Sequence, residues 1–150
     1  MKKESLEEFL IKKKAKNETQ LKAMNWDKRK QKWLQSIDTL YKQVEEWLSN
    51  LKKKGVVKIS YKEEMIFEEH IGQYNIKKMY LDVGSERVTL SPKGTFVVGA
   101  YGRVDLIGDE GSIMIVMLKW GEWFIASRTP AVKYWPLTKG SFSDALKQVM

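Results

Sequence analysis

Apolar positions in the first third of the chain recur at helical spacing. Trp33, Ile37, Leu40, Val44, Trp47 and Leu51 follow alternating steps of four and three residues, and Leu34, Tyr41 and Leu48 repeat at seven beside them. At about 100° per residue these positions form one broad stripe, wider than a two-position coiled-coil seam, which suits packing on a sheet or bundle. Lys28, Lys32, Lys42 and Lys53 fall on the opposite face with Gln35, Thr39 and Glu46. Upstream, Leu6, Phe9 and Leu10 make a shorter apolar face ending in Lys12, Lys13, Lys14 and Lys16, cations that complement a helix C-terminus. Asn17, with Gln20 three residues later, predicts a helix cap there. Lys52, Lys53, Lys54 and Gly55 predict the stop of the long helix.

After Gly55 the period becomes alternating. Val57, Ile59 and Tyr61 alternate with Lys58 and Ser60, and Met65 and Phe67 follow among Glu63, Glu64, Glu68 and Glu69. Met79, Leu81 and Val83, then Val88 and Leu90, then Val104 and Leu106 continue the pattern. Thr95–Val98 reads as a short strand, Ile113–Lys119 as the most apolar and hence central one, and Trp123–Ser127 follows. The connections are turn chemistry: Gly84-Ser85, Pro92-Lys93-Gly94, Gly108 to Gly111, and Trp120-Gly121. Such short links join antiparallel neighbours, because parallel strands need crossovers of a dozen or more residues. Ser141 to Asp144 has the form of a capping box, with Phe142, Ala145, Leu146 and Val149 on one face of a terminal helix. The expected fold is α+β: N-terminal helices packed on an antiparallel meander of about six to eight strands, closed by a short helix. The chain is expected to be a single domain, with a helical region over 1–54, a sheet over 55–138 and a terminal helix over 139–150.

Composition sharpens this division. The 150 residues carry a formal charge of +8. Fifteen Lys and Arg against eight Asp and Glu give +7 to residues 1–54, and all 10 Gly and all 3 Pro lie at or after Gly55. The basic character therefore belongs to the helical region. With no cysteine, disulfide scaffolds, zinc–thiolate sites, iron–sulfur clusters and cysteine nucleophiles are excluded, and one histidine excludes a His-rich metal site. No cofactor is expected. The longest strictly apolar run, Ile113 to Leu118, is too short to span a bilayer, and the start lacks a signal-peptide apolar core. A soluble, cytoplasmic protein of bacterial type is the expectation, with no membrane partner.

His70 follows a run of glutamates and precedes Gly72. It reads as a turn residue, and the glutamates as surface charges that blunt an edge strand. Trp33 and Trp47 fall in the apolar stripe and read as core; Trp26, among Lys22, Lys28, Arg29 and Lys30, reads as the helix tryptophan that is exposed or at an interface. Trp120, Trp123 and Trp135 gather near the end of the sheet with Phe124, Tyr134 and Pro136, and Arg128 and Lys133 supply charge beside them. Trp120 and Trp123 flank Gly121-Glu122 in a tight hairpin, so at least one is expected at the surface.

The segment Gly102-Arg103-Val104-Asp105-Leu106-Ile107, a turn, and an apolar strand ending in Lys119 resembles the core of the restriction-nuclease-like superfamily. That resemblance implies a metal-holding carboxylate at Asp105 and a water-polarising lysine at Lys119, with Mg²⁺ as the metal. It spans about 20 residues. The second acid of the pattern falls at Met117, whose thioether is a poor ligand for Mg²⁺. It also implies a mixed sheet with parallel strands.

Three functions follow as expectations. The leading one is a binding or accessory module whose basic helical region contacts nucleic acid or an acidic protein, through Lys28, Lys32, Lys42, Lys53, Trp26, Trp120, Trp123 and Arg128. The others are a degenerate metal-dependent nuclease using Asp105, Glu110 and Lys119, and a protein that self-associates as a homodimer through Leu6, Phe9 and Trp26.

Overall fold

The computed structural model describes residues 4–23, 25–95, 100–127 and 132–150, with side chains of the first helix described as far as residue 16. Two long helices, α1 (Leu6–Ala23) and α2 (Trp26–Trp47), and a short one, α3 (Ser49–Lys53), precede seven strands. These are β1 (Lys58–Glu68), β2 (Gly72–Val83), β3 (Glu86–Gly94), β4 (Arg103–Gly108), β5 (Gly111–Lys119), β6 (Glu122–Ser127) and β7 (Lys133–Pro136). Helix α4 (Lys139–Val149) closes the chain. The strands form one sheet in sequence order, and every neighbouring pair is antiparallel. The α+β meander expected from the sequence is the fold observed. The mixed sheet implied by the nuclease resemblance is not.

α2 forms where the stripe predicts it. Trp33, Ile37, Leu40, Tyr41 and Val44 are buried, and they share one core with Val88 and Leu90 of β3, Val104 and Leu106 of β4, Ile115 and Met117 of β5, and Ile125 of β6. The stripe ends early. The chain turns at Leu48 before α3 begins, which leaves Leu51 exposed rather than in line with Val44 and Trp47. The expected cap at Asn17 is also absent, because α1 is helical without a break to Ala23. The cap falls at Asn25 instead, whose side chain accepts a hydrogen bond from the Lys28 N–H at 3.1 Å.

The β1–β2 hairpin departs from a simple alternation. Its register is unbroken from Lys58↔Asp82 to Glu68↔Gly72. Yet β2 buries Leu81 and Met79 near its end and Ile76 and Tyr74 near its start, so the inward parity changes at Lys77 and Lys78. β3 pairs with β2 only from Met79 onward. Beyond that point the hairpin is a two-stranded ribbon, and such ribbons twist more strongly than wide sheets. The twist turns Ile66 and Glu68 inward and leaves Met65 and Phe67 exposed. The sequence expectation was the reverse: Glu68 is not a surface charge but a buried carboxylate.

β3 runs on to Gly94, with a register irregularity between Pro92 and Gly94. A Cβ on Gly94 would stand 2.5 Å from Glu68 Oε1, so glycine is what lets the backbone reach that carboxylate. Thr95 follows in a bend, and the rest of the expected strand to Val98 lies outside the described residues. At the far end of the chain the cap of α4 is three residues earlier than expected. Thr138 Oγ1 accepts from the Ser141 N–H at 3.1 Å while Ser141 Oγ accepts from the Thr138 N–H at 2.8 Å, so Ser141 is the last residue of a capping box rather than its first. α4 buries Phe142, Ala145 and Val149 and lies against β4 and β5.

Candidate functional site: a basic and aromatic groove along α2

The β5–β6 hairpin turns on two residues, Trp120 and Gly121, between the paired Lys119 and Glu122. Gly121 has φ of +80°, a conformation glycine adopts without steric cost. This tight turn sends the two nearby indoles different ways. Trp123 points inward, 7% exposed, with its ring 6.0 Å from that of Trp33. Trp120 stays half-buried at the surface, where its ring lies 4.9 Å from that of Tyr101 at an angle of 34°. Tyr101 is set there by its own backbone, whose N–H donates to the Met117 carbonyl at 2.7 Å.

The opening turns of α2 face this ring pair. Lys32 Nζ is 5.5 Å from the Trp120 ring, and the Arg29 guanidinium carbon is 5.9 Å from Trp120 and 6.0 Å from Tyr101. These distances lie within the reach of cation–π attraction. Asn25, Lys28, Arg29, Lys32, Tyr101 and Trp120 enclose a depression of about 270 Å³. A second depression of about 270 Å³ adjoins it, sharing Lys32 and Trp120 and continuing past Gln35, Ser36 and Thr39. Together they make a groove running along α2 from Asn25 to Thr39, roughly 21 Å at the rise of a helix.

Arg29 is held from behind by a buried polar chain. Its Nη2 donates to the Thr95 carbonyl at 2.6 Å. The Thr95 N–H and Oγ1–H donate in turn to Glu68 Oε1 at 2.6 Å and 3.2 Å, and the Tyr74 hydroxyl donates to Glu68 Oε2. Glu68 is 8% and Thr95 0% exposed. Burial, followed by the hydrogen bond to Glu68, pushes the Tyr74 hydroxyl well above the usual phenol range. The tip of the same hairpin braces the start of α2: the His70 ring stacks on Trp26 at 4.8 Å and 14°, and His70 holds a positive φ of +71°.

The residues singled out from the sequence are thus partly gathered. Lys28, Lys32 and Trp120 line the groove, and Trp123 forms the floor of its second half while packing on the core. Trp26 lies at its head, stacked rather than freely exposed. Lys42 and Lys53 are exposed further along α2 and on α3, outside the groove lining. Trp135 stands on β7 beside a different depression of about 530 Å³, lined with Ile113, Ile125, Gln148 and Val149 and, among the described residues, with no Lys or Arg. Arg128 lies outside the described residues. Arg29, Tyr101 and Glu68 are the members that pattern reasoning missed. Arg29 was visible only as one cation in a basic run, and Tyr101 reaches Trp120 only through the packing of β4 against β5.

The acids of the nuclease resemblance are not brought together with its lysine. Asp105 sits in mid-β4 opposite Met114, whereas Lys119 lies five residues further along β5, opposite Glu122. At strand rise that is about 17 Å. Glu110 is in the turn at the other end of β5, where its N–H donates to the Val149 carbonyl at 2.9 Å. Both oxygens of Asp105 accept from Arg103, at 2.7 Å from Nε and 3.0 Å from Nη2, and this pairing raises the already high pKa of the guanidinium. Among the described residues no group of three His, Cys, Asp or Glu is placed to hold a metal ion, and no helix is long and apolar enough to cross a membrane. Comparison with protein-family models, with curated proteins and with solved structures gives no match. The functional reading therefore stands on the groove's geometry.

Proposed function

We propose that the chain is a non-catalytic binding module and that the α2 groove takes nucleic acid. One observation carries this reading: Lys28, Arg29 and Lys32 on the helix face Tyr101, just before β4, and Trp120, in the β5–β6 turn, across a single depression. Three cations within two helical turns supply the sequence-independent attraction that phosphates require. The two rings supply a surface on which a nucleobase can stack. Fluorescence anisotropy of a labelled oligonucleotide, DNA and RNA in turn, tests it. Binding at low salt that weakens steadily as salt rises supports the proposal, and no binding of either at low salt overturns it.

A second reading is favoured by α1. Leu6 is 72%, Phe9 45%, Leu10 55% and Ile11 61% exposed, a concentration of uncovered apolar side chains on one short stretch of helix. Covering them against a second copy of α1 would make the protein a homodimer. Light scattering checks it, and a monomer at high protein concentration excludes it.

A further inference from the structure

We infer that the groove selects single-stranded over duplex nucleic acid, by stacking one unpaired base on Trp120. The inference rests on the nucleic-acid reading above and adds the class of substrate. Its starting point is that the three cations are not equivalent. Arg29 is tied to the Thr95 carbonyl, and Thr95 is clamped by the buried Glu68. Its guanidinium is therefore a fixed part of the groove wall. Lys32 is exposed, sits on a flexible stem, and approaches Trp120 at 5.5 Å, near the outer limit of cation–π contact. Lys28 is exposed at the rim, its backbone capped by Asn25.

A base entering against Trp120 displaces the Lys32 ammonium from the ring. The ammonium then meets the phosphate attached to that base, so one cation–π contact is exchanged for a stack and an ion pair. Tyr101 lies beside Trp120 with its ring at 34°, and both rings line the depression beneath Arg29 and Lys32, so a base enters between the indole and α2. Further along, Gln35, Ser36 and Thr39 offer neutral polar groups where the next nucleotide would lie. Ser36 and Thr39 Oγ atoms already donate to the carbonyls of Lys32 and Gln35, which leaves their lone pairs as acceptors. A duplex keeps its bases stacked inside and offers the groove only phosphates. It can use Lys28 and Lys32 but not Trp120. The aromatic wall is thus of value to a single strand alone.

The test compares a labelled 12-nucleotide single strand with the same sequence as a duplex, at equal salt, against the wild-type chain, Trp120→Ala and Trp120→Phe. The expected results are tighter binding of the single strand by about tenfold or more, a loss of about tenfold for that strand in W120A, most of it recovered in W120F, and duplex affinity unchanged in both variants. Circular dichroism of each variant reports whether the fold is kept. Salt-dependent binding in which duplex equals or exceeds single strand, or in which W120A binds the single strand normally, overturns this inference and leaves the electrostatic reading standing. Binding of polyglutamate as tight as the single strand overturns both, in favour of an acidic protein partner. No binding at low salt overturns the parent reading itself.

Discussion

Arg29 donates from Nη2 to the carbonyl oxygen of Thr95 at 2.6 Å, a bond that spans 66 residues of sequence and joins the groove wall on α2 to the end of β3. Thr95 is in turn fixed by Glu68, which the twisted tip of the β1–β2 hairpin carries into the core. The cationic wall of the groove is therefore built on buried polar contacts as well as on apolar packing.

Replacing Glu68 by alanine is expected to destabilise the fold strongly. It leaves the Thr95 N–H and the Tyr74 hydroxyl, both buried partners, without their acceptor. Each such group costs about 1–3 kcal/mol. Urea denaturation should show a lower midpoint at unchanged slope, with Glu68→Gln, which keeps one acceptor oxygen, falling between wild type and E68A.

Gly102 is expected to tolerate no side chain. A Cβ there would stand 2.1 Å from Cζ3 and 2.6 Å from Cε3 of Trp33, a fully buried indole. Gly102→Ala should cost about 3 kcal/mol by overpacking and alter the near-ultraviolet dichroism of the core tryptophans. Because the clash is with one ring, Trp33→Leu in the same chain should recover part of that loss. A double-mutant cycle reads the recovery directly, and strictly additive effects would contradict the packing described.

Stability is expected to fall above about pH 10. Burial holds the Tyr41 and Tyr74 hydroxyls well above their ordinary value of 10.0, and burial followed by the hydrogen bond to Glu45 raises Tyr61 as well. Below pH 10 these phenols are protonated in both folded and unfolded chains, so their contribution does not change with pH. Above it the unfolded chain loses protons that the folded chain keeps, and the balance moves towards unfolding. Denaturation midpoints measured from pH 8 to 11.5 should decline in the upper part of that range. Tyr74→Phe, which has no proton to lose, should decline less steeply.

The capping box of α4 gives a fourth prediction. Thr138→Ala removes the acceptor for the Ser141 N–H and is expected to cost about 1 kcal/mol, a fall of roughly 2–4 °C in Tm for a chain of this size. Asp144→Ala, the position a cap at Ser141 would have used, should change Tm little, since Asp144 is exposed on the second turn.

The parts of this structure that were legible in the sequence are those where one pattern had one solution. The 3.6-residue period from Trp33 to Val44 admits a single inward face, and that face is the core of α2. The two-residue Trp120-Gly121 link leaves the flanking strands no option but to pair. Where two phases fitted equally, the sequence could not decide. Met65, Ile66 and Phe67 are all apolar, so either parity could face inward, and the twist of an unsupported hairpin chose Ile66 and with it Glu68. Thr138 and Ser141 both begin acceptable caps, and the earlier one won. For the groove, Lys28, Lys32 and Trp120 could each be named from local pattern. Their meeting with Arg29 and Tyr101 depends on how α2 crosses the sheet, which no local pattern encodes.

The central claim, that the α2 groove binds nucleic acid through these lysines, is tested most directly by the salt dependence of single-strand affinity in wild type and in the Lys28→Ala, Lys32→Ala double variant. With both side chains exposed, their removal should leave the fold intact. The slope of log affinity against log salt should shrink by about 1.4, corresponding to about 0.7 for each of the two phosphates that the lysines no longer neutralise. An unchanged slope and affinity in the double variant would contradict the claim.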